Sequence, residues 1–233
     1  MVDLSEGLGN LLKFRVKVDK PLPKKLARKL FVSFEGIDFS GKSLQANLLK
    51  ERLEKAGFSV ALFREPGGTA ISEKVRQILL DPAHAEMLPM TELLLYSAAR
   101  SQLVREKIRP ALEAGKIVLC DRYADSSTAY QGFGRKLLLE DVQRAHSLAI
   151  EGLWPDVTFL LDIAPEEAIR RKTKARKLDR LEQEDLAFRK RVRNGYLELA
   201  RKEPNRFVIL DGLANPARIH ENIWVWIKNK LDI

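Results

Sequence analysis

Short, nearly unbroken apolar runs alternate along this chain with longer stretches in which apolar residues return every three or four positions. The runs cover residues 31–34, 60–63, 117–120, 157–163 and 207–210, and each is rich in β-branched or aromatic residues. None alternates strictly with polar positions, which is how strands buried on both faces read. The stretches between them carry a helical period. Leu44, Leu48, Leu49 and Leu53 form one stripe that ends near Gly57, and a second pattern runs from Thr91 to Ala114 and stops at Gly115. Others follow Pro165, precede Pro204 and follow Pro216. This alternation predicts an α/β fold with three layers, a five-stranded parallel sheet covered by helices on both faces.

Composition narrows the picture. With 233 residues, 45% of them hydrophobic, the chain can bury a sizeable core. No Gly/Ser- or Pro-rich tract interrupts it, so residues 30–233 read as one domain behind a basic N-terminal extension, residues 1–29. The net charge of +9 invites a nucleic-acid reading, but residues 1–30 hold eight basic against three acidic side chains, a local excess of five. Most of the surplus therefore lies outside the body, and basic residues suit any polyanion, a nucleotide's phosphates included. No zinc-finger spacing or aromatic RNA-binding signature accompanies it, and no nucleic-acid partner is expected. The single Cys120 excludes an intrachain disulfide, and its neighbours Ile117, Val118 and Leu119 mark it as a core thiol. No apolar run approaches the roughly 18 residues that span a bilayer. The opening Met-Val-Asp-Leu-Ser-Glu lacks the apolar centre of a signal peptide. A cytoplasmic protein with no membrane partner is the expectation.

One segment fixes the chemistry. Residues 31–43, FVSFEGIDFSGKS, contain G-x-x-x-x-G-K-S from Gly36 to Ser43. In such a loop the backbone N–H groups of Gly36, Ile37, Asp38, Phe39, Ser40, Gly41, Lys42 and Ser43 wrap a phosphate group, and the following helix adds its positive end. Lys42 reaches the terminal phosphates and the Ser43 hydroxyl ligates Mg²⁺. A strand before and an amphipathic helix after meet the structural test for this motif. A GTPase would need N-K-x-D after a late strand; Asn229-Lys-Leu-Asp232 has that spacing but lies at the C-terminus, where no base-binding loop continues.

The loop, then Arg64-Glu-Pro-Gly-Gly-Thr69, then residues 121–132, DRYADSSTAYQG, and finally Asp179-Arg-Leu-Glu-Gln-Glu184 together resemble the thymidylate kinases of the bacterial type. The resemblance spans about residues 30–231 and implies the P-loop nucleoside-monophosphate-kinase fold, with ATP and dTMP as substrates, Mg²⁺ as cofactor and a homodimer. It places Glu65 and Arg76 near the acceptor nucleotide, although Pro-Gly-Gly alone is also an ordinary turn. Tyr96 and Arg100 are four apart and project from one helix face. A stacking ring beside a guanidinium fork suits a flat base with carbonyl edges, while a core tyrosine and a surface arginine are the plain alternative. The resemblance assigns both to the thymine ring. Asp121 ends an apolar strand, as Asp162 and Asp211 do, and is the candidate ligand of Mg²⁺ or its water. Arg122 is expected to grip the acceptor phosphate. Ser126 with Tyr130, and Ser127 with Gln131, are i,i+4 pairs that the resemblance turns toward base and sugar, with Tyr130 excluding a 2′-hydroxyl.

The basic run from Arg170 to Arg180 reads by itself as a solvated helix; the resemblance makes it a lid, around residues 174–185, with Arg176 and Arg180 as catalytic candidates. Asp38 is expected to organise the acceptor or a magnesium-bound water. Two positions depart from the family. Phe39 stands where a glycine or a catalytic arginine is usual, so the lid must supply the arginine, and Phe39 must point away from the phosphates or distort the loop. Leu44 replaces a threonine. The expected activity is dTMP phosphorylation; other nucleotide kinases and a non-catalytic nucleotide-binding homologue are the alternatives.

Overall fold

The computed structural model describes residues 29–171 and 178–233. The five apolar runs are strands: β1 (Leu30–Glu35), β2 (Val60–Arg64), β3 (Ile117–Asp121), β4 (Val157–Asp162) and β5 (Phe207–Asp211). They form one parallel sheet in the order β2-β3-β1-β4-β5. All strands are therefore joined by crossovers, and these are the helices that the period of the intervening segments predicted.

β1 shows why both faces are apolar. Leu30, Val32 and Phe34 pack with Leu49 and Leu53 of α1 (Lys42–Lys55) and Ile223 and Ile227 of α9 (Pro216–Leu231). Phe31, one step out of phase, packs on the other face. Its neighbours there are Leu103 of α3 (Pro89–Leu103), Ile108, and Ile150 of α6 (Leu139–Ile150). On that same face Ser33 and Glu35 are buried polar residues, covered by α8 (Leu186–Lys202) and the segment after β3. Cys120 sits in this core, as expected, and burial pushes its thiol up.

The helix expected from 91 to 114 is one helical run in three parts. α3 passes into a π-turn, Val104–Ile108, and then into α4 (Arg109–Glu113). Pro110 has no N–H to donate, and a wider turn just before it absorbs that defect. The remaining helices are α2 (Ala70–Leu80), α5 (Ala124–Ser127), which continues into a π-helical segment Thr128–Gly134, and α7 (Pro165–Arg171).

Candidate active site

The C-terminal ends of β1, β2 and β3 open onto one cavity of about 500 Å³, where ligands of open α/β sheets bind. The β1–α1 loop forms one wall. Gly36 has φ +137°, and a Cβ there would stand 2.5 Å from the Leu161 carbonyl oxygen, so no other residue fits without moving the strand. Gly41, at φ +98°, caps α1, which has neither a side-chain cap nor an acid in its first turn. Its leading N–H groups suit an anion. Asp38, Phe39, Gly41, Lys42 and Ser43 line the cavity. Ile37 and Ser40 are buried behind it, where Lys42 Nζ donates to the Ile37 carbonyl (2.7 Å) and lies 3.5 Å from Ser40 Oγ. Burial, then the Arg122 cation, pull the Lys42 ammonium down to about 8 against the pull of Asp38 and Asp121.

β1–β3 pairing brings the two expected metal ligands together: Ser43 Oγ donates to Asp121 Oδ2. A hydroxyl beside a carboxylate is the hard-oxygen donor set that Mg²⁺ takes. Among the described residues no group of three or more His, Cys, Asp or Glu is placed to hold a metal ion. The other strand-ending acids are engaged elsewhere. Asp162 holds Arg193 through two contacts of 2.7 Å, and Asp211 accepts from the Leu213 N–H in a turn.

Arg122 is the hub. It has φ +73°, and its Nη1 donates to the Gly36 carbonyl at 3.0 Å and lies 3.3 Å from both Ser126 Oγ and Tyr196 Oη. Nη2 pairs with Asp38 Oδ1 (2.6 Å) and reaches Tyr130 Oη (3.1 Å). Burial pushes the Asp38 carboxyl up, but Arg122, Lys42 and the Tyr130 hydroxyl outweigh it and hold it below the ordinary range. Beneath Arg122 lies Glu35, which sequence reasoning missed. It accepts from the Tyr123 N–H (2.7 Å), Ser126 Oγ (2.6 Å) and Tyr196 Oη (2.7 Å). Burial first, then Asp125, push its carboxyl up to about 7 against Arg122 and those donors. The available signal was its position, a carboxylate on the interior face of a buried strand.

Toward the far end, Arg76, Tyr96, Ser126, Ser127, Tyr130 and Gln131 all line the cavity, as does Glu65. Arg76 Nη1 donates to the Pro66 carbonyl (2.9 Å). Two expected site residues are not among those that line the cavity. Arg100, 1% exposed, is not a lining residue. Its Nε pairs with Glu65 Oε2 at 2.6 Å, and its two Nη atoms donate to Ser127 Oγ and the Tyr123 carbonyl. It braces the wall from behind, because a buried guanidinium must satisfy its donors locally. Arg180 likewise lies outside the lining set. Its Nε donates to the Leu79 carbonyl (3.0 Å) and its Nη2 lies 2.5 Å from Glu92 Oε2, tying Arg180 to α2 and α3. Arg176 lies outside the described residues, as does most of the basic extension. Arg171, Asp179 and Glu182, which lie in the basic run and the 179–184 motif, line the cavity; Glu92 and Tyr196 did not stand out in the sequence.

Comparison with known proteins agrees with this geometry. The family model for thymidylate kinase matches residues 34–223. The thymidylate kinase of Caldanaerobacter subterraneus is 50% identical over 196 residues, covering 84% of this chain and 93% of that protein. That of Deinococcus radiodurans is 46% identical over 205 residues, covering 88% and 99%. A crystal structure of thymidylate kinase from Ehrlichia chaffeensis superimposes with a TM-score of 0.70 at 32% identity, over 85% of this chain and 98% of that one. A sheet that carries a glycine-bearing loop, an arginine hub and one shared cavity on its rim is thus matched over most of its length, and the chain belongs to the thymidylate kinase family.

Proposed function

We propose that residues 30–233 transfer the γ-phosphoryl group of ATP to the 5′-phosphate of dTMP, giving ADP and dTDP, a step of dTTP biosynthesis. One observation carries the reading. Lys42 and Arg122 donate to adjacent loop carbonyls, those of Ile37 and Gly36, and share one cavity with Tyr96. A cation for the donor phosphates and a cation for the acceptor phosphate thus face each other across a loop of a few residues.

The acceptor needs little activation, because a phosphate monoester's second pKa is about 6 and it is already an anion at neutral pH. Catalysis is therefore positioning and charge neutralisation. Lys42 and the start of α1 hold the donor phosphates. Arg122, oriented by Asp38, Ser126 and Tyr196, grips the acceptor. Ser43 and Asp121 would hold Mg²⁺, which when bound supplies further neutralisation at the donor oxygens. Tyr96 stacks on the base, and Tyr130 fills the space beside the sugar where a 2′-hydroxyl would sit. The resemblance makes residues 174–185 a lid over ATP with Arg176 as a catalytic candidate, while Arg180 holds the Leu79 carbonyl and Glu92.

A cytoplasmic setting belongs to the same reading; among the described residues no helix is long and apolar enough to cross a membrane. A homodimer does too, supported by Ile71 and Ile78 on α2 and Leu94 on α3, large apolar side chains left exposed on neighbouring helices. The test is ADP release coupled to NADH oxidation, run across dTMP, dUMP, CMP, AMP and thymidine. Preference for dTMP is expected, and preference for any other acceptor overturns the substrate assignment.

A further inference from the structure

Glu92 lies within α3, fully buried, at the junction of three segments. Its Oε1 accepts from Gln131 Nε2 at 2.8 Å and from Arg135 Nε at 3.2 Å. Its Oε2 takes Arg135 Nη2 at 3.0 Å and Arg180 Nη2 at 2.5 Å. Burial pushes this carboxyl up, but Arg135, Gln131 and Arg180 outweigh it and hold it below its ordinary range. It is therefore ionised at neutral pH and can only accept hydrogen bonds. That fixes something amide geometry alone leaves open: an amide facing a carboxylate must present its NH₂ end. Gln131 lines the acceptor cavity beside Tyr96 and Ser127, and its carbonyl oxygen is the end left for the cavity.

We propose that Glu92 is a specificity-positioning residue: by holding the Gln131 amide nitrogen it turns the amide oxygen toward the acceptor base, selecting a ring N–H over a bare ring nitrogen. This rests on the reading of the cavity as a thymidylate site. Thymine and uracil present C=O, N–H, C=O along that edge, and cytosine presents NH₂, N, C=O. An amide oxygen accepts from the ring N–H of the first pair and opposes the lone pair of the third. Glu92 thus acts through Gln131 without touching the nucleotide.

The geometry gives the test a direction. In Glu92→Gln, two guanidinium nitrogens, Arg135 Nη2 and Arg180 Nη2, lie against the Oε2 position and one, Arg135 Nε, against Oε1, so the new amide oxygen settles at Oε2. Its NH₂ then faces Gln131, which must turn its carbonyl inward and its own NH₂ toward the cavity. We would measure kcat/KM for dTMP, dUMP and dCMP; dUMP and dCMP differ only along the edge in question. The expected result is a rise in dCMP turnover with a fall for dUMP and dTMP, moving the dUMP-to-dCMP ratio by at least about tenfold. General destabilisation cannot raise dCMP turnover. In Gln131→Met, which has no amide to flip, adding Glu92→Gln should leave the ratio unchanged. If Glu92→Gln does not fold, Glu92→Asp keeps a carboxylate between the arginines but shortens its reach to Gln131, and the ratio should again fall. An unchanged ratio in a folded Glu92 variant overturns the proposal. A wild-type enzyme inactive on all three acceptors would instead remove the thymidylate reading beneath it.

Discussion

Replacing Tyr196 by phenylalanine removes one oxygen from the network under Arg122 while keeping the ring that packs beside Phe188 and Val192. The lost hydroxyl donates to Glu35 Oε2 at 2.7 Å and lies 3.3 Å from Arg122 Nη1. Its worth depends on the charge of Glu35, whose carboxyl is pushed up to about 7. Because the folded pKa is raised, the native state keeps this proton up to about 7, after the unfolded chain has lost it. The group's contribution to stability is therefore complete at acid pH and declines as pH rises toward 7. Below that point the substitution removes a bond to a neutral carboxyl, about 1 kcal/mol; above it, one to a buried carboxylate, about 2–3 kcal/mol. Urea unfolding at about pH 5.5 and about pH 8.5 should show Tyr196→Phe losing roughly 1–2 kcal/mol more at the higher pH. In thermal scans the alkaline loss corresponds to about 4–12 °C. The same variant should raise KM for dTMP, through a loosened Arg122, and leave KM for ATP near wild type. Equal destabilisation at both pH values would refute the coupling between Tyr196 and a titrating Glu35.

Three further outcomes follow from the site. With Lys42 pulled down to about 8, the free protein carries this cation below that pH and loses it above. ATP affinity should fall up to about tenfold per pH unit beyond 8, and Lys42→Arg should flatten that profile in a calorimetric titration. Phe39 holds φ +64°, a conformation costing about 1–2 kcal/mol for a residue with a Cβ. Thermal unfolding should place Phe39→Gly within about 1 kcal/mol of wild type, because relief of strain offsets chain entropy, and Phe39→Val clearly below; a valine as stable as glycine would contradict the strain. Asp121→Asn should raise the Mg²⁺ concentration needed for half-maximal turnover by about tenfold with KM for dTMP unchanged, as would be read from magnesium titrations of the steady-state rate.

The strands and the phosphate loop were legible because their signals are local: unbroken apolar runs, and glycines whose spacing only a tight anion cradle explains. The faces of the segment after β3 were legible too. Ser126, Ser127, Tyr130 and Gln131 reach one cavity although the segment turns π-helical, since a gain of less than one residue per turn keeps i and i+4 close. What escaped depends on distant partners. Glu35 acquires its meaning from Tyr196, 161 residues later. Arg100 was read as facing a base, but Glu65 faces it from 35 residues away and draws it into the wall. Arg180 reads in the sequence as a lid candidate, and its partner Glu92 lies on a helix that periodicity identifies only as half-buried. Buried ion pairs are chosen by packing, and a linear pattern does not encode them.

The central claim is that donor and acceptor phosphates meet between Lys42 and Arg122 in one cavity. Competition kinetics with an adenosine–thymidine conjugate joined through five phosphates would test it most directly. Such a molecule should compete with both ATP and dTMP and lose affinity steeply in both Lys42→Ala and Arg122→Ala. Competition with only one substrate, or indifference to either substitution, would contradict it.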